Sequence, residues 1–162
     1  MSSFRLLLPR VLAPLTLFMA GMGVAHADNN GTSSVALPDK YKLECAACHT
    51  PYQPGMLPAA SWRRIMTGLG KHYGTDASLD AASLREIGAW LQAHAGTYKR
   101  VSEEPPQDRI TQSAWFLRKH NAREVAPEVW KRASVGSASN CVACHANAAT
   151  GSFSERDIKI PR

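Results

Sequence analysis

Two short motifs, one toward each end of the chain, hold the residues whose types and spacing are best suited to chemistry. Each motif places two cysteines three residues apart and a histidine directly after the second cysteine. Together the motifs contain all four cysteines of the chain. Thiols at this spacing can ligate a metal ion, cycle between dithiol and disulfide, or form thioethers with a cofactor. The motif residues are Cys45, Cys48, His49, Cys141, Cys144 and His145.

The histidine that follows each cysteine pair favours covalent attachment of haem. A tetrathiolate zinc site or two disulfides would use the cysteines without requiring a histidine, and a thioredoxin-like motif is expected among alternating strands and helices. Six of the 162 residues are histidine, so a histidine after both motifs by chance has a probability of about 0.001. In attached haem, two thiols add to the vinyl groups and the adjacent imidazole binds the iron. The sequence therefore predicts two haem c groups, with His49 and His145 as proximal ligands.

The second axial position of each iron decides whether a haem carries electrons or binds small ligands. His72 lies in a glycine-rich bend, with enough chain after His49 to reach the opposite face of a haem. His120 lies one helical turn after Phe116, among aromatic side chains and ahead of the second motif. Both histidines are favoured as distal ligands. The alternative is that they are exposed residues of a turn and of a helix end.

A third histidine, His94, competes for these positions. It falls at the end of an amphipathic helix predicted over residues 79–95, at the edge of the apolar stripe. The preferred interpretation is a C-terminal histidine that interacts with the helix dipole. Met56 follows the first motif too closely to reach the other haem face, and Met66 fits a helical core pattern.

The first 27 residues have the pattern of a secretory signal. Arg5 and Arg10 precede an apolar run that ends in Ala25-His26-Ala27, which predicts cleavage after Ala27. The apolar run is shorter than the roughly 20 residues of a spanning helix, which disfavours a membrane anchor. The working protein is therefore expected to be residues 28–162, exported and without stable membrane insertion.

The exported part has the pattern of short helices and loops. A polar segment near 97–110, which contains Pro105-Pro106, predicts a connector between two haem-bearing halves. A chain of this size with modest aliphatic content needs the haems to complete its core, so the apoprotein is expected to be largely unfolded. Each proximal imidazole is expected to donate its N–H to a backbone carbonyl. The predicted helices cover 44–49, 61–69, 79–95, 113–120, 127–132 and 140–145.

The basic charge of the chain is weak evidence for a nucleic-acid partner. The formal net charge is +6, and loss of Arg5 and Arg10 with the signal lowers it by two. Four haem propionates would bring the holoprotein close to neutral, and export makes nucleic acid an implausible partner. Basic clusters such as Arg118-Lys119 would steer an acidic redox partner, pair with propionates or solvate the surface.

Longer stretches resemble the small periplasmic dihaem cytochrome c family of proteobacteria, which is associated with the sphaeroides haem protein and a b-type membrane cytochrome. The resemblance spans nearly all of residues 41–162. The stretches that carry it are CAACH, MLPAASWRRIMTGLGKHYG, RITQSAWFLRKH, VWKRASVGSASNCVACH and FSERDIKIPR.

The resemblance implies a mainly α, cytochrome c-like fold packed around two haems, each with two histidine ligands. It places the distal ligands at His72 and His120. It implies an electron carrier rather than an enzyme, with redox proteins as partners: a membrane b-type cytochrome and a soluble haem protein. Proximity in sequence pairs His72 with the first motif and His120 with the second, and a crossed pairing is the alternative. The rival function is a haem enzyme or small-ligand binder with one five-coordinate haem.

Overall fold

The computed structural model describes residues 34–97, 101 and 103–162. The predicted signal, residues 1–27, and part of the predicted connector lie outside the described residues. Within the described ranges the structure is mainly helical, with two isolated bridges and no strands. No helix in this part of the chain is long and apolar enough to cross a membrane. The α-helices are α1 (Asp39–Cys45), α2 (Ala59–Thr67), α3 (Ala81–Ala93) and α4 (Ala114–Lys119).

Side-chain caps fix where α3 and α4 begin. The Asp80 carboxylate accepts hydrogen bonds from the backbone N–H groups of Ala82 and Ser83, at 2.8 and 3.1 Å. The Ser113 hydroxyl accepts one from the backbone N–H of Phe116 at 3.3 Å. Caps of this kind satisfy amides that have no partner inside the helix. Both helices lie within their predicted segments for this reason.

Three of the other predicted helices differ from the structure. The helix predicted over 44–49 is wrong, because α1 ends at Cys45 and the rest of the first motif forms a turn. α1 starts instead at Asp39, directly after Pro38, where an acidic residue in the first turn favours a helix start. The last two predicted helices, 127–132 and 140–145, are wrong in type. They form the 3₁₀ turns Val129–Lys131 and Cys141–Ala143.

The hydrophobic core lies in the first half of the chain, where α2 packs against α3 and α1 also contacts α3. The buried indole of Trp62 donates to the Pro54 carbonyl at 2.7 Å and secures the loop before α2. In the second half the buried apolar side chains are small in number and far apart in sequence, for example Phe116 and Val135. The first-half core consists of Tyr41, Leu57, Trp62, Met66, Ile87 and Leu91.

The segment before α4 is fastened to α2 through one arginine. Arg64 donates to both carboxylate oxygens of Asp108, at 2.9 and 2.6 Å, and to Glu104 at 2.6 Å. A two-pronged contact of this kind fixes orientation as well as distance. Asp108 and Glu104 belong to the segment predicted as a connector, so this segment is attached to the folded first half.

Candidate haem-binding sites

The first candidate site is formed by two histidines that face each other, His49 and His72. Their ring centres are 6.2 Å apart and their planes are inclined by 26°. His49 closes the first motif, whereas His72 follows the 3₁₀ turn Leu69–Lys71 that extends α2. The structure therefore brings together the two histidines that the sequence predicts as the proximal and distal ligands of the first haem.

The second candidate site is a histidine pair with a similar separation in the other half. The ring centres of His120 and His145 are 6.1 Å apart, with an interplanar angle of 67°. His120 is the residue that ends α4, and its ring stacks on Phe116 at 4.0 Å. Phe153 contacts His145 from another side, at 5.4 Å. The histidines are thus paired within each half and not in the crossed order.

The separation within each pair fits one iron bound from both sides. Metal–imidazole bonds of about 2.0–2.1 Å, with roughly 1.1 Å from nitrogen to ring centre, place two ring centres about 6.3 Å apart. The separations of 6.2 and 6.1 Å agree with this geometry. Among the described residues no three His, Cys, Asp or Glu side chains form a cluster that could hold a metal ion. The histidine rings come instead as two pairs, one in each half.

Backbone carbonyls determine which nitrogen of two of these histidines is available to a metal. His49 Nδ1 lies 2.7 Å from the Thr50 carbonyl oxygen, and His120 Nδ1 lies 3.1 Å from that of Phe116. A carbonyl only accepts, so each Nδ1 carries the proton and each Nε2 keeps its lone pair. The predicted carbonyl bond is confirmed for His49.

The same prediction is wrong for His145. Its Nδ1 is buried and has no hydrogen-bond partner among the described residues. Buried polar nitrogens normally have a partner, so an exception calls for an explanation. An imidazole of this kind, opposite His120 and beside the second cysteine pair, fits a site that a cofactor completes.

Burial favours the neutral form of three candidate ligands, His72, His120 and His145. It is the largest cause of the lowered pKa of His72, followed by His49 and the Arg109 guanidinium. It is also the largest cause of the lowered pKa values of His120 and His145. Neutral imidazole is the form that ligates metals. The local environment therefore favours ligation over protonation.

Three of the motif cysteines have raised thiol pKa values, whereas a redox dithiol needs a lowered one. Burial raises the pKa of Cys45 and of Cys141 to about 11 each, and it also raises the pKa of Cys144. Reactive dithiols depend on a lowered pKa, because the thiolate is the nucleophile. All four cysteines are unpaired, including the exposed Cys48. These thiols fit covalent attachment of a cofactor better than disulfide exchange.

The competing ligand candidates lie elsewhere. His94 is exposed at the end of α3, where its Nδ1 lies 2.9 Å from the Trp90 carbonyl oxygen. Met56 is buried in the turn Pro54–Met56, and Met66 belongs to the hydrophobic core. His94 thus occupies the helix-terminal position that the sequence analysis preferred for it.

Two tyrosines beside the first site were not singled out from the sequence. Tyr52 stacks on His49 with ring centres 5.0 Å apart. Tyr73 directly follows His72 in a tight turn, with a φ of +50° at Tyr73 and +98° at Gly74. The Gly after His72-Tyr73 is the sequence signal for that turn. No signal in the sequence alone places Tyr52 against the motif histidine.

Residues that follow the second motif return to it. The backbone N–H of Lys159 donates to the Cys144 carbonyl at 2.9 Å, and His145 and Ile158 form an isolated antiparallel bridge. The segment that carries Phe153 is therefore held against the second candidate site. It supplies backbone support on one side of the motif.

The comparisons with known proteins agree with this geometry. The sequence pattern of a family described as dihaem cytochrome c matches residues 41–153. The crystal structure of DHC purified from Rhodobacter sphaeroides is similar, with a TM-score of 0.64 and 42% identity, over 74% of this chain and 99% of that chain.

A second solved structure, the diheme cytochrome type c from Shewanella baltica OS155, has a TM-score of 0.66 and 35% identity. That match covers 77% of this chain and 95% of that chain. No curated protein sequence matches this chain. The expectation of a mainly α fold of the cytochrome c kind is confirmed by these similarities.

Proposed function

The chain belongs to the dihaem cytochrome c family and holds two haem c groups, and from this premise we propose that it is a periplasmic carrier of single electrons. One observation carries the proposal. In each half, a motif histidine faces a second histidine at 6.2 or 6.1 Å. With imidazole on both sides, each iron would have no open coordination position for a substrate, and electron transfer would be the chemistry it supplies.

In this proposal the cysteines attach the haems and the histidines ligate the irons. The four motif cysteines would form the thioethers; His49 and His72 would hold one iron, and His120 and His145 the other. Each haem supplies a reversible one-electron change at iron. The protein orients the imidazoles, and burial favours the neutral form of His72, His120 and His145. Two imidazoles hold an iron at a lower potential than a His/Met pair, because methionine ligation raises it.

The proposed location rests on the N-terminal sequence pattern, and the proposed partners on the exposed basic residues at the end of α4. The signal-like pattern of residues 1–27 supports export to the periplasm. Arg118 and Lys119 are exposed at the end of α4, next to His120, and Lys119 pairs with Glu155 at 2.8 Å. An acidic surface on a redox partner would complement this end of the helix. A membrane b-type cytochrome as donor and a soluble haem protein as acceptor fit such a carrier.

Absorption spectroscopy of holoprotein from a cytochrome-maturing host tests the proposal. We expect low-spin haem in both redox states and no spectral change when carbon monoxide is added to the reduced protein. A carbon monoxide complex would favour the rival function, a haem enzyme or small-ligand binder with one five-coordinate iron.

A further inference from the structure

Tyr52 touches both candidate haem sites. Its ring stacks on the motif histidine of the first site, His49, at 5.0 Å and 23°. Its hydroxyl donates to the backbone carbonyl of Ser139, 87 residues further along the chain, at 2.9 Å. One side chain therefore spans from the proximal ligand of one haem to the loop that precedes the second motif.

The carbonyl that Tyr52 reaches is part of the second haem attachment. The Ser139 oxygen also accepts a hydrogen bond from the backbone N–H of Cys141 at 3.0 Å. It lies 3.6 Å from Cys141 Sγ, the atom that a thioether would join to the second haem. The Tyr52 hydroxyl and Cys141 Sγ therefore contact the same carbonyl oxygen, that of Ser139. This oxygen alone connects Tyr52 to Cys141.

The backbone around Tyr52 is held in place on both sides. The buried Tyr41 donates its hydroxyl to the Tyr52 carbonyl at 2.9 Å. The next residue, Gln53, is 2% exposed, and its side chain packs directly against Gly151 of the second half. The position of Tyr52 is thus set by the first-half core and by the interface between the halves.

We propose that Tyr52 couples the two haems: it fixes the spacing of the two sites and provides a connected path between them. The path runs from the His49 ring to the Tyr52 ring, and through the hydroxyl to the Ser139 carbonyl beside Cys141. This proposal rests on the ligand assignment given under the proposed function. Movement of one electron along this path oxidises the ferrous iron of one haem and reduces the ferric iron of the other. No bond is made or broken and no proton is transferred.

Exchange NMR of half-reduced holoprotein tests this role. In the wild type we expect exchange between the two haems at a rate independent of protein concentration. Tyr52→Phe keeps the ring against His49 and removes only the hydroxyl bond, and we expect it to slow the exchange several-fold. Thr67→Val is the matched control, because it also deletes a hydroxyl that bonds to backbone carbonyls, but within α2 itself.

The outcomes separate this inference from the proposed function. An unchanged exchange rate in Tyr52→Phe, with both haems attached and low-spin, overturns the role of Tyr52 and leaves the carrier function intact. Exchange that scales with protein concentration in the wild type overturns it without any variant. Carbon monoxide binding by the wild type would count against the ligand assignment itself. Slowing in Tyr52→Phe, but not in Thr67→Val, supports the coupling.

Discussion

The hydroxyl of Tyr73 lies 3.0 Å from the backbone carbonyl oxygen of Gln107, 34 residues further along the chain. It is also 3.2 Å from the Asp108 carbonyl oxygen, and the Arg109 guanidinium lies over the Tyr73 ring at 4.2 Å. Tyr73 has a φ of +50°, a left-handed conformation that costs an L-residue roughly 1–2 kcal/mol. Contacts with the segment before α4 therefore hold the turn that presents His72.

Tyr73→Ala is expected to loosen His72, because it removes the ring and hydroxyl contacts while keeping the cost of the positive φ. We expect a fraction of high-spin haem and a free energy of unfolding lower by about 1–3 kcal/mol. Tyr73→Gly relieves the backbone cost and should lose less stability than Tyr73→Ala. Absorption spectra and chemical denaturation measure both effects. Equal stability in wild type and Tyr73→Ala would contradict this role.

His120→Ala is expected to open one iron while both haems stay attached. The low-spin signal of one haem should be lost, and the reduced variant should bind carbon monoxide at about one equivalent per protein. His94→Ala is the control, because His94 is exposed at the end of α3 and bonds locally to Trp90. Its spectrum should match the wild type. A fully low-spin His120→Ala protein would show that His120 is assigned wrongly.

The two haems are expected to give different paramagnetic resonance spectra. The imidazole planes are inclined by 26° in the His49–His72 pair and by 67° in the His120–His145 pair. Nearly parallel imidazole planes interact mainly with one of the two iron dπ orbitals and so split their energies. Nearly perpendicular planes interact with both and leave the two orbitals close in energy. Oxidised protein should therefore show one rhombic and one strongly anisotropic low-spin signal. His72→Ala should remove the rhombic signal, and two identical signals in the wild type would contradict the geometry.

Gly151→Ala is expected to destabilise the contact between the two halves. An added Cβ would lie 2.5 Å from Gln53 Nε2 and 2.8 Å from Ser34 Cβ, at a φ of +81°. Gly136 has a similar φ of +70° and no atom within 4 Å of an added Cβ, so Gly136→Ala isolates the backbone cost. We expect Gly151→Ala to lose about 1–3 kcal/mol more than this control in thermal or chemical unfolding. Equal losses would mean that Gln53 moves aside freely.

Loss of one haem is expected to affect the two halves unequally. The first half has a contiguous core that includes Trp62 and Ile87, whereas the second half has scattered buried side chains. Replacement of both second-motif cysteines by serine should therefore increase hydrogen exchange mainly after α4. The corresponding change in the first motif should leave part of α2 and α3 protected. Full protection of the second half without its haem would contradict this expectation.

The sequence was sufficient for the features that depend on local spacing. Both motifs, the family, and the helices capped by Asp80 and Ser113 follow from neighbouring residues. The pairing within each half, with His72 facing His49, agrees with the expectation from sequence proximity. Whether these histidines bind iron stays a prediction.

Contacts between distant parts of the chain could not be predicted from the sequence. The bond from Tyr52 to Ser139 and the contact of Tyr73 with Gln107 join segments separated by 87 and 34 residues. Hydrophobic periodicity and helix-capping residues report on neighbouring positions and carry no information on such long-range contacts. The first motif also departs from the predicted helix, because the end of α1 depends on how the chain turns toward the haem site.

The return of Lys159 to the Cys144 carbonyl has a consequence for the order of assembly. The bond joins residues 15 apart in sequence, so it forms only when this short segment folds back onto the motif. Before that step Cys141 and Cys144 would be accessible to an attachment enzyme, and the docked segment would afterwards shield the finished thioethers. A protein shortened before Ile158 would accordingly acquire both haems, yet leave the second one open to solvent and to proteases.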